Sequence, residues 1–287
     1  MFSKALALLA ALALAGCARP TEVRPALWLV EGPGGQQAWL FGTIHALPEP
    51  VEWRSPAIEQ ALAGSDRLVL EVARIDDDAG TARVFAGLAQ SSGLPPLEQR
   101  LAPDERDELA AAMRTDGLQP GALDGYETWA AALLLQQAAT KAGASDSANG
   151  IDRALLRGYA KPVEEFEGAA AQLAIFDRLP EATQRSLLSA ALTDPKEAAS
   201  ELDRLAHAWA KADLDLIDRK TNQEFLSDPV LREALLTGRN RAWAARLTAM
   251  LRGGAHPFVA VGTAHLVGKD GLPALLAAHG YKVTRLQ

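Results

Sequence analysis

The sequence predicts an α/β fold: a mixed central β-sheet from two related β-α-β units, with a large helical segment between them. Three observations carry this prediction. A strand–histidine–helix–strand order runs early in the chain from "FGTIH" to "LVLEV". The same order recurs at the far end, from "VGTAH" to "YKVTRL". Between the two, from about Asp76 to Leu251, Ala/Leu/Glu/Arg/Gln-rich segments keep the apolar spacing of helices.

In chain order, "MFSKALALLAALALAGCARP" comes first, with Lys4, an apolar stretch Ala5 to Ala15, and then Gly16 and Cys17. It reads as a secretory signal whose apolar core is too short to span a bilayer. "LAGC", Leu14 to Cys17, has the form of a bacterial lipobox. The expectation is therefore a lipoprotein signal peptide over residues 1–16, lipid on Cys17, a tether over 17–25 and one domain over 26–287. Because Ala18 rather than Asp follows the cysteine, the expected location is the outer membrane, facing the periplasm. Cys17 is the sole cysteine, which excludes an internal disulfide framework and a cysteine-based metal site.

Losing Lys4 with the signal takes the net charge from −7 to −8, which argues against nucleic acid as a partner. With 48% hydrophobic residues and no second long apolar stretch, the remainder is large enough for one big core.

Leu27–Val30 and Ala38–Phe41, joined by "EGPGGQQ", form a predicted hairpin. "SPAIEQALAGSD" is a helix with Ser55 as N-cap, Pro56 at the first helical position and Gly64 as its stop. It leads into "RLVLEV", Arg67 to Val72, a buried strand. In the middle, "APDERDELAAAMR", residues 126–142 and "SELDRLAHAWAKADLDLIDRK" have helical spacing, and "GASDSANG" is a polar loop. Pro162 to Phe166 makes a short strand, with Glu167 just past it. Phe258–Val261 is an apolar strand, Gly271–His279 a helix stopped by Gly280, and Tyr281–Leu286 a last strand.

One Gly-x-x-His is a weak indication, since a histidine at a strand end is more often a satisfied structural residue. Two copies change the balance. His45 and His265 both follow apolar strands, so both imidazoles leave the carboxyl edge of the sheet, where open α/β sheets collect ligands. Gly42 and Gly262, three residues earlier, let the chain turn sharply and leave room beside the rings. Glu71 ends an apolar run near the same edge; its plain alternative is a salt bridge to Arg74. Two imidazoles and a carboxylate suit a divalent Zn, Mn, Fe or Co ion with positions open to water and substrate. Of the other histidines, His207 sits on a helix, His256 in a turn and His279 at a helix C-terminus. No HExxH helix, Gly-x-Ser-x-Gly elbow, P-loop or Gly-x-Gly-x-x-Gly turn is present.

On "WLFGTIHALP", "SDRLVLEV", "GIDRALLRGYAKPVEEFEG", "GRNRAW" and "FVAVGTAHLVGKDGLPALLAAHGYKVTRL", the chain resembles the TraB/GumN family, related to the Tiki metalloproteases, over roughly residues 26–287. The resemblance implies a Tiki-like α/β fold and, for the Tiki branch, a Mn- or Co-dependent peptidase activity. It matches the family's two Gly-x-x-His motifs and glutamate to His45, His265 and Glu71. It also draws attention to Arg239 and Asn240, and to Glu167 with Gln172. Arg239 would hold a carboxylate or developing oxyanion and Asn240 would donate to the same group. Equally plain roles are a surface cation for Arg239 and a helix N-cap for Asn240. Asp152 divides in the same way between capping and the site.

The expected function is a metal-dependent hydrolase acting on peptide or protein substrates, with His45, His265 and Glu71 around one ion and Glu71 as ligand or general base. The alternative is a lipid-anchored protein that binds a metal, haem or peptide without turnover.

Overall fold

The computed structural model describes residues 23–142, 146–221 and 226–287. The expected signal peptide and Cys17 lie outside the described residues, as does the start of the "GASDSANG" loop. What is described of the tether is already attached: the Arg24 amide donates to the Ala210 carbonyl at 2.7 Å.

Six strands form one mixed sheet. They are β1 (Leu27–Glu31), β2 (Gln37–Thr43), β3 (Arg67–Leu70), β4 (Val163–Glu165), β5 (Pro257–Gly262) and β6 (Lys282–Arg285), in the spatial order β4-β3-β5-β2-β1-β6. β4, β3, β5 and β2 run parallel, and β1 is antiparallel to both β2 and β6. The hairpin is present, with Leu27 opposite Phe41 and Glu31 opposite Gln37. The two β-α-β units interleave: β5 of the second lies between β2 and β3 of the first. In that register Thr43 pairs with Gly262, so the two Gly-Thr-x-His segments leave adjacent parallel strands one residue out of step.

The period-2 alternation of these strands divides the apolar interior between the two faces of the sheet. Leu27, Trp39, Phe41, Leu68, Leu70, Phe258 and Ala260 pack on one face beneath the helix Pro56–Gly64. Trp28, Leu40, Val69, Val259 and Val261 pack on the other beneath the helices Gly238–Arg252 and Leu272–Ala278. A third cluster, including Leu97, Leu109, Leu135 and Leu188, is built by the helical middle, with Ala264 of the second histidine motif packed against it. The one big core expected from composition is thus several smaller ones.

Three local readings change. The helix Pro56–Gly64 starts as expected, with the Ser55 hydroxyl accepting from the Ile58 amide, but it ends on Ser65 in extended backbone. Gly64 is needed for space: a Cβ there would lie 2.9 Å from the Trp39 ring. The strand read to Val72 stops at Leu70, which frees Glu71 from the ladder. The helical stretch 200–220 is two helices, Pro195–Ala210 and Leu214–Arg219, separated by Ala212 at φ 49°. Gly280, at φ 90°, does stop the last helix in the left-handed conformation.

Candidate functional site

All four parallel strands end at one edge, and each is followed within three residues by a charged or imidazole side chain: His45 after β2, Glu71 after β3, Glu167 after β4 and His265 after β5. The register thereby converts residues far apart in the chain into neighbours. A Cβ placed on Gly262 would lie 3.4 Å from both His45 Nε2 and Glu71 Oε1, and His265 Nε2 is 3.9 Å from the same carboxylate oxygen. The two rings share one edge of the sheet.

Each imidazole is held from behind. His45 Nδ1 lies 2.8 Å from Asp152 Oδ2, and His265 Nδ1 lies 2.6 Å from Asn240 Oδ1. An Asn oxygen only accepts, so His265 carries its proton on Nδ1 and offers the Nε2 lone pair to the site. The Asp152 carboxylate likewise accepts from the Nδ1–H of His45, and its charge raises this imidazole to about 9, so that near pH 7 His45 is protonated on Nε2 as well. Asp152 is itself fixed by the Thr43 hydroxyl, which donates to Oδ1 at 2.7 Å, and the Thr263 hydroxyl donates to the Thr43 carbonyl at 3.0 Å.

Glu71 is buried, with 10% of its side chain exposed, and fully engaged. Its Oε1 accepts from the Gly262 amide at 2.9 Å; its Oε2 accepts from Gln172 Nε2 at 3.0 Å and Arg239 Nη2 at 2.7 Å. Burial works to raise this carboxyl, but His265, His45, Arg239 and the Gly262 amide outweigh it and hold it at about 2. Burial lowers His265 to about 4, so it is neutral near pH 7. At that pH the ionisation of Glu71 therefore rests on His45, Arg239 and the amide.

Arg239 joins the groups. Its Nε donates to Glu167 at 3.0 and 3.1 Å, its Nη1 to the Leu235 carbonyl at 3.0 Å, and its Cζ stands 4.6 Å over the Trp243 ring. Nη1 also lies 3.2 Å from His265 Nε2. Trp243 in turn donates to Glu167 Oε1 at 3.0 Å and packs against the His265 ring. A cleft of about 250 Å³ opens onto His45, Glu71, Asp152 and Gln172, with Val72 and Ile75 as its apolar wall.

The structure thus brings together His45, Glu71, His265, Arg239, Asn240, Asp152, Glu167 and Gln172. It also changes several roles. Asn240 is no N-cap, being buried within the helix Gly238–Arg252, where its Nδ2 donates to the Asp270 carbonyl at 2.8 Å and its Oδ1 meets His265. Arg239 is no surface cation, with 12% of its side chain exposed, and its donors serve the protein's own carboxylates rather than an open oxyanion position. Glu71 pairs with Arg239, not Arg74. Asp152 caps nothing, since Gly150 is the N-cap of its helix. Gly42 and Gly262 have ordinary negative φ, so neither supplies a glycine-only turn. They supply space: a Cβ on Gly42 would lie 2.6 Å from the Thr263 hydroxyl oxygen.

Thr43, Thr263 and Trp243 were not legible as site residues. For the threonines a sign was available, because "GTIH" and "GTAH" repeat the threonine as faithfully as the histidine. His207, His256 and His279 have local partners: Asp203 O accepts at His207 Nδ1, the His256 carbonyl accepts from Asp66, and His279 meets Thr248.

The donor set fits a divalent ion chemically: two imidazoles backed through Nδ1 beside an ionised carboxylate, with His265 already neutral and His45 having to give up its Nε2 proton to become a ligand. As they stand, no three His, Cys, Asp or Glu side chains among the described residues are arranged to hold a metal ion.

The sequence matches the TraB/PrgY/gumN family over residues 26–285. It is similar to proteins from Shigella flexneri and from Escherichia coli (strain K12), each called "Uncharacterized protein YbaP", at 28% identity over 247 residues, spanning 85% of this chain and 89% of theirs. No solved structure matches it.

Proposed function

The chain belongs to the TraB/PrgY/gumN family, and from that premise we propose a metal-dependent hydrolase acting on peptide bonds. The observation that carries the reading is the paired backing of the imidazoles: Asp152 behind His45 and Asn240 behind His265, with His265 Nε2 3.9 Å from Glu71 and His45 Nε2 beside the same glycine, Gly262, as that carboxylate. Structural histidines do not need such matched supports, whereas metal-ligating histidines characteristically have them. His45, His265 and Glu71 are the residues that would hold the ion, which would be Mn, Co, Zn or Fe. A bound ion supplies Lewis acidity, activating water and polarising a carbonyl oxygen.

The chain's own groups do the rest. Gln172, Arg239 and the Gly262 amide hold Glu71 immobile, and His45, Arg239 and the amide keep it ionised, which favours a ligand over a general base. Arg239 is a positioning residue in this scheme, acting through Glu71. The adjoining cleft offers the apolar wall of Val72 and Ile75 beside polar Ser147, Arg153 and Gln172, a lining suited to a peptide segment. Lipid on Cys17 would hold this site at the cell envelope, on the periplasmic side of the outer membrane.

The deciding experiment measures the metal content of the dialysed full chain together with cleavage of a peptide library. The expected result is about one divalent ion per chain and cleavage that a chelator abolishes. Retention of the ion with no product would favour the lipid-anchored binding protein, and no retained ion would end the metal reading.

A further inference from the structure

Arg239 stands where two of the three metal-ligand candidates point. Its Nη1 approaches His265 Nε2 at 3.2 Å while its Nη2 donates to Glu71 Oε2 at 2.7 Å. An imidazole Nε2 has one lone pair, which cannot accept from a guanidinium and bind an ion at the same time. We infer that Arg239 is the resident cation of the metal-free site, and that loading a divalent ion exchanges one cation for another. The inference rests on the assignment of His45, His265 and Glu71 as ligands.

The surroundings supply what such an exchange requires. Without any cation at this position Glu71 and Glu167, at 10% and 15% side-chain exposure, would be two buried carboxylates with nothing charged between them. Arg239 joins the two, its Nη2 lying 2.7 Å from Glu71 and 2.9 Å from Glu167. It also has a place to withdraw to that involves none of the ligands. Glu167 accepts from its Nε on both oxygens, Trp243 anchors that carboxylate with an indole N–H, and the Trp243 ring supports the guanidinium face. Releasing His265 therefore leaves the guanidinium paired. The ion, in turn, must displace a charge-assisted contact before it can use the His265 lone pair, so the site binds metal more weakly than its ligands alone would.

The test is calorimetric titration of Mn²⁺ into the chelator-stripped full chain, with thermal melting of the metal-free forms alongside. Arg239→Ala is expected to bind Mn²⁺ about tenfold more tightly than the wild type, the scale of one charge-assisted hydrogen bond. Its metal-free form is expected to melt at a lower temperature. Millimolar guanidinium chloride should return the affinity of Arg239→Ala toward the wild-type value, while equal sodium chloride should not. Should Arg239→Ala fail to fold, Arg239→Lys carries the same test, since an ammonium cannot span Glu71, Glu167 and His265 as the fork does. Equal or weaker Mn²⁺ binding by the folded variant, or no competition by guanidinium, would overturn the exchange while leaving the ligand assignment standing. No binding by either wild type or variant would overturn both.

Discussion

Asp152, at the edge of the cleft, and Asn240, buried behind it, each decide which nitrogen of their histidine faces the site. Asp152→Ala and Asn240→Ala are each expected to lower metal affinity by roughly 10–100-fold, the usual cost of losing a support behind a ligating imidazole. Calorimetry on the folded variants checks this, and unchanged affinity would remove the argument from paired backing. Glu71→Gln retains size and a carbonyl oxygen but loses charge against Arg239. As a ligand it should lose metal and turnover together; metal retained beside lost turnover would make it the general base. A third expectation concerns pH in the metal-free protein. Burial places His265 at about 4 in the fold against 6.5 when free, so between those values the unfolded chain binds more protons. Stability should rise with pH across that window, by at most about 1.4 kcal/mol per unit from this one group. His265→Gln should lose that part of the slope in urea titrations at pH 4.5 and 6.5, and equal slopes would contradict the assignment. At this scale the histidines and Glu71 were legible because residue type and strand-end position coincide. Asn240 and Arg239 were only half legible: their neighbours in sequence suggested a helix start, while their partners, Asp270, His265 and Glu167, come from other segments.

Among the elements, the helix Pro56–Gly64 sets two effects of a glycine against each other. Replacing a helical glycine by alanine ordinarily stabilises by about 0.5–1 kcal/mol. At Gly64 the new methyl would press on Trp39, which is 8% exposed and anchored in the core of that face. Overpacking of this kind costs about 1–3 kcal/mol, so Gly64→Ala should be net destabilising in urea unfolding; a more stable variant would show that the indole can move. Strands and capped helix starts were readable because period 2, Ser55 and Pro56 act locally. Helix ends were less so. The break at Ala212 carries no glycine or proline to announce it, and its backbone is fixed by tertiary bonds such as Arg285 to the Ala212 carbonyl. The division into separate cores was likewise invisible to composition, which counts apolar residues without saying which face each one covers.

For the whole molecule, the anchoring expectation stands on Leu14 to Cys17. Mass spectrometry of the mature protein should find Cys17 at the N-terminus carrying lipid, and an intact bond between residues 16 and 17 would exclude it. The interleaved strand order has a further consequence, for the timing of assembly. β2 and β3 are not neighbours; each is bonded to β5, which begins at residue 257 of 287. A chain interrupted before Pro257 has its hairpin, its first histidine and Glu71, but no strand to join them and no amide of Gly262 to receive the carboxylate. Closure of so long a loop is a late and slow event compared with forming the helices of the middle. The site therefore comes into being only when the last tenth of the polypeptide is inserted, and an unfinished or clipped copy is born without it.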